Sequence, residues 1–96
     1  MKIAADILYR INKALGESVS VEMSVRIDPL RLHINAHEMR AKKLAADWSV
    51  MIADTEIEQL STQASYRDFF VRQFIANYEY IAERAADTWK PKKGKI

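Results

Sequence analysis

Apolar residues recur at every fourth position at the start of this chain, then at every second position immediately afterwards. Ile3, Ile7, Ile11 and Leu15 stand at i, i+4 spacing, with Leu8 and Ala14 on adjoining rows. Lys2, Asp6, Arg10 and Lys13 take the opposite side. This period predicts an amphipathic helix over residues 2–15. Gly16 follows the last periodic residue, where a left-handed residue commonly ends a helix.

Val19, Val21, Met23, Val25 and Ile27 then alternate with Ser18, Ser20, Glu22, Ser24 and Arg26. Apolar and often β-branched residues at every other position predict a half-buried strand. Asp28-Pro29 breaks it, and Leu30, Leu32, Ile34 and Ala36 alternate with Arg31, His33, Asn35 and His37 as a second strand. Pairing Val25 with Leu32, Met23 with Ile34 and Val21 with Ala36 puts every apolar side chain on one face, as a consistent register demands. Pro29 suits neither favoured two-residue hairpin turn, so a four-residue loop that keeps this register is expected.

Residues 38–53 support two readings. Trp48, Val50 and Ile52 alternate with Ser49, Met51 and Ala53, which favours a third strand antiparallel to the second. Against it, residues 38–46 are rich in helix formers, and Ala41, Leu44, Ala45, Trp48, Met51 and Ile52 share a helical face. A tight turn at 41–43 also lacks glycine. The strand is preferred because a lone hairpin is a narrow base for two helices; the alternative order is αββαα. A short helical turn is expected after Asp54-Thr55, with Glu56 and Glu58 near its positive end. Ser65-Tyr66-Arg67-Asp68 has capping character for a last helix. Its stripe runs through Tyr66, Phe70, Phe74, Tyr78, Ile81 and Ala85, broadened by Phe69, Val71, Ile75 and Ala82, and it ends near Thr88 or Trp89 before Pro91. The expected class is α+β: an N-terminal helix, a three-stranded antiparallel meander, and one or two C-terminal helices on one sheet face. Residues 1–89 make one domain and 90–96 a flexible basic tail.

Composition narrows the function classes. The 96 residues include no cysteine, which excludes thiolate nucleophiles and cysteine-based metal sites and fits a cytoplasmic location. No apolar run is long enough to span a membrane, and the first residues do not form a signal peptide. The net charge of +2 is misleading, because Lys90, Lys92, Lys93 and Lys95 crowd the end. Without them, 11 basic residues face 13 acidic ones and the folded body carries about −2.

Candidate chemistry is sparse. His33 and His37 would share a metal ion on a helix, but on a strand they lie roughly 13 Å apart. Ser18, Ser20 and Ser24 are strand-face residues outside any nucleophile elbow, and two glycines cannot build a phosphate loop. The sequence therefore points to no enzyme, cofactor or metal. It points to a protein partner met by the polar strand face: Glu22, Arg26, Arg31, His33, Asn35 and His37. Tyr9 and Tyr80, off the apolar stripes, are further candidate anchors. Two alternatives stay open: a nucleic-acid-associated protein using Lys90, Lys92, Lys93 and Lys95, and a homo-oligomeric structural subunit.

The order α-β-β-β-α resembles double-stranded-RNA-binding domains. Those carry a Lys-Lys-x-Ala-Lys cluster opening the final helix, whereas this helix opens Ser65-Tyr66-Arg67-Asp68-Phe69, so their phosphate-gripping function does not carry over. The order from Ile3–Leu15 through Val19–Ile52 to Tyr66–Trp89 also resembles small phage-encoded accessory proteins, including some anti-CRISPR inhibitors. That resemblance implies a non-catalytic inhibitor or recruiter in the host cytoplasm, and no site residues.

Overall fold

A computed structural model describes residues 2–27 and 29–89, with side chains to residue 85. Six elements follow in order: α1 (Lys2–Leu15), β1 (Ser20–Arg26), β2 (Arg31–Arg40), β3 (Lys43–Ala53), α2 (Asp54–Thr62) and α3 (Ala64–Trp89). The sheet is an antiparallel meander in the order β1-β2-β3. Helix α1 buries Ile3, Ala4, Ile7 and Ile11 and ends at Gly16, whose φ of 84° a residue with a Cβ adopts only under strain.

The expected hairpin register is the observed one: Val25 pairs with Leu32, Met23 with Ile34 and Val21 with Ala36. Arg26 and Arg31 form the last pair, which leaves the expected four-residue loop at 27–30. Residues 43–53 are a strand, and the preferred reading holds over the helical alternative. Its turn is nevertheless the tight one. Arg40 pairs with Lys43, and Ala41 and Lys42 take φ values of 52° and 65°. Two consecutive left-handed residues are what a type I′ hairpin turn needs, here supplied without glycine.

A bulge explains why this stretch also looks helical. Glu38 pairs with Ala46 but Met39 pairs with Leu44, so Ala45 is the extra residue. Ala45 and Ala46 are consequently both buried, and the alternation skips a beat there.

Along β2 the even-numbered residues Leu32, Ile34 and Ala36 point into the core with Ile52 of β3, Ile7 and Ile11 of α1, Leu60 of α2, and Phe74 and Tyr78 of α3. Burying each large apolar side chain contributes about 1.5–3 kcal/mol before entropy is counted. All three helices lie against this one face. The stripe on α3 is as expected except at Phe69, which is exposed.

Two junctions differ from expectation. Helix α2 is nine residues long, more than a single turn. Ser65 lies inside α3 and does not cap it. Gln63 stands at the junction instead: its extended backbone (φ −121°, ψ 103°) ends α2, its N–H donates to the Gln59 carbonyl, and its own carbonyl accepts from Arg67. Helix α1 is tied to α3 by ion pairs. Arg10 bonds Asp68 at 2.5 Å and lies 3.3 Å from Asp6, and Arg67 lies 3.8 Å from Asp6.

Candidate polar interface on the open sheet face

With the helices on one side, the other face of the sheet lies open. It collects the odd-numbered residues of β2 and the side chains paired with them. The register arranges these in rows: Arg26 beside Arg31, then Ser24, His33 and Met51, then Glu22, Asn35 and Ser49, then Ser20, His37 and Asp47. All six residues expected at a binding surface, Glu22, Arg26, Arg31, His33, Asn35 and His37, therefore share this face. The sequence reading missed Asp47, Ser49 and Met51, which β3 adds. The signal was the β3 alternation, weakened by the doubt over residues 38–53.

Asn35 is the centre of the arrangement. Its amide nitrogen donates to Asp47 at 2.6 Å and to Ser49 at 2.7 Å, which uses both protons; the Trp48 carbonyl is farther, at 3.4 Å. The Asn35 carbonyl oxygen is left as an acceptor 2.7 Å from His37 Nδ1. This assigns the His37 proton to Nδ1. Its Nε2 faces Glu22 at 4.0 Å. One chain of hydrogen bonds thus joins β2 to β3, from His37 through Asn35 to Asp47 and Ser49, with Glu22 of β1 beside it.

Charge is sorted along the strands. Arg26 and Arg31, directly opposed, make one end positive, and a shallow depression there is lined by Arg26, Ile27, Pro29 and Arg31. The Arg31 guanidinium reaches the Met51 sulfur at 3.8 Å. Glu22 and Asp47 make the other end negative. Three apolar side chains are exposed on the same face: Met51 beside His33, and the paired Met39 and Leu44 beyond His37. Arginine and methionine amid polar groups is a composition enriched at protein interfaces.

On the inner face, just past the core, Glu38 accepts from Arg40 at 2.9 Å. That bond, more than any other influence, holds the Arg40 guanidinium above its ordinary pKa. Tyr78 is 2% exposed and its hydroxyl has no hydrogen-bond partner among the described residues. Burial first, and the Glu38 carboxylate second, push its pKa up to about 12.

His33 and His37 lie along one strand, roughly 13 Å apart at the strand rise. Among the described residues no group of three histidines and carboxylates is placed to hold a metal ion. Nor is any helix long and apolar enough to cross a membrane. Lys90, Lys92, Lys93 and Lys95 lie outside the described residues. No protein-family model matches this chain, and neither the curated proteins nor the solved structures contain a match.

Proposed function

We propose that this protein is a non-catalytic interaction module whose open sheet face docks on a protein partner, blocking or recruiting it. The observation that carries the reading is the ordered polar network centred on Asn35, left uncovered by every helix and bordered by exposed Met39, Leu44 and Met51. Side chains already held by mutual hydrogen bonds lose little freedom when a partner arrives, which favours tight and specific docking. The opposed ends of the face, Arg26 and Arg31 against Glu22 and Asp47, would fix the partner's orientation. The element order shared with small phage-encoded inhibitors fits a blocking role but names no target.

The test compares capture of a partner from extracts of the encoding organism or its host by three forms of the chain. These are wild type, an Arg31→Glu/Asn35→Ala double variant of the face, and a chain lacking residues 90–96. The proposal expects one partner retained by the wild type and the truncated chain and lost by the face variant. Retention by the face variant overturns it. Loss on truncation, with steep weakening by salt, supports the nucleic-acid alternative through the lysine tail.

A further inference from the structure

The two edges of the sheet are built differently. Strand β3 carries the bulge at Ala45 and a lysine, Lys43, features that discourage a further strand from pairing. Strand β1 has no bulge, proline, glycine or lysine, and among the described residues no strand lies on its far side. Next to this bare edge, Val25 is 47% exposed although it shares the core-facing side, and Ile27 just beyond the strand is 83% exposed. An unprotected seven-residue edge with open apolar side chains is a template for strand addition.

The side chains of β1 suit a second copy of the same strand. Two β1 strands related by a two-fold axis perpendicular to the sheet pair antiparallel, and like faces meet only when the axis passes through a residue position. An axis at Glu22 sets Glu22 against itself. An axis at Met23 sets Glu22 against Ser24 and Arg26 against Ser20, and one at Val25 sets Arg26 against Ser24. An axis at Ser24 alone pairs opposite charges, with Glu22 of each copy facing Arg26 of the other. The same register sets Met23 against Val25 and Val21 against Ile27, which covers the exposed apolar side chains. Among the described residues Arg26 has no carboxylate partner within its own chain.

We propose that two copies join through their β1 edges with Ser24 on the two-fold axis. The product is one continuous six-stranded antiparallel sheet, with all helices on one side and both polar faces side by side on the other. The interface is isologous and closed, so it yields a dimer and no fibre.

Sedimentation equilibrium of the full chain tests this, reading about 22 kDa for the dimer against 11.1 kDa for one copy. Glu22→Arg or Arg26→Glu alone makes two like-charged contacts per dimer, and each variant is expected to dissociate at least about tenfold more readily than wild type. An equimolar mixture of the two variants is expected to regain the dimer, since each altered side chain then meets its opposite. The chain has no native cysteine, so Ser24→Cys is expected to give an oxidised covalent dimer and Ser20→Cys not. Monomeric wild type, a mixture no tighter than either variant, or equal cross-linking at positions 20 and 24 would each overturn the proposal. The readout is independent of partner capture by the open face.

Discussion

Ala41 and Lys42 show how tertiary context overrides local preference. A glycine-free turn argues against a tight hairpin, yet both residues sit at positive φ because the strands around them demand it. Left-handed backbone costs a residue with a Cβ roughly 1–2 kcal/mol. Replacing Ala41 with Asn and Lys42 with Gly is therefore expected to stabilise the fold by about 1–2 kcal/mol. Urea unfolding with an unchanged slope is the measurement, and a lower midpoint would contradict the turn assignment. Tyr78 presents the opposite case, a side chain whose stripe position was legible and whose hydroxyl was not. Buried without a partner among the described residues, the hydroxyl costs desolvation, so Tyr78→Phe is expected to match wild type or gain up to about 1 kcal/mol. The sign of the pH effect follows from its raised pKa of about 12. Above the ordinary tyrosine value near 10 the unfolded chain releases this proton first, so wild-type stability falls with rising pH and the Phe variant escapes that contribution. Equal alkaline losses in the two proteins would contradict it.

At the scale of elements, α1, β1, β2 and their register were legible because each keeps one period from end to end. The first strand alternates without interruption, so parity restricts the pairings that align the apolar sides, and the break at Asp28-Pro29 selects the one with a short loop. Strand β3 was ambiguous for a physical reason: the bulge places consecutive Ala45 and Ala46 inside, and a skipped alternation imitates helical spacing. That ambiguity is why Asp47 and Ser49 went unnoticed as members of the polar face. The ion pairs between α1 and α3 were also hidden, since Arg10 and Asp68 lie 58 positions apart. Their bond, before any other influence, holds the Asp68 carboxyl below the usual carboxylate range. Its contribution to stability is full above the unfolded value of about 4 and is lost as pH falls through the lower folded value. Asp68→Asn is expected to be less stable than wild type at pH 6, with the gap narrowing as pH falls below the unfolded carboxylate value. Denaturant unfolding across that range checks it, and a gap independent of pH would show that the pair contributes nothing through its charge.

For the whole molecule, the described helices form one layer and leave the other face of the sheet uncovered by them. The six face residues were legible from parity alone, because any strand pairing of these sequences sends Arg31, His33, Asn35 and His37 to the side opposite Leu32, Ile34 and Ala36. The hydrogen bonds linking β2 to β3 through Asn35 were not legible, since they need the third strand's register. Pairing of two β1 edges would set two such faces side by side, with Glu22 and Arg26 at the seam between them. The central claim is that the open face is where a protein partner sits. Site-specific photo-cross-linking tests it most directly, with a photoreactive side chain at His33 in the middle of the face and, separately, at Tyr80 on the exposed side of α3. The account expects one partner protein cross-linked from position 33 and none from position 80. Cross-linking from 80 and not from 33 would place the partner on the helices and contradict it.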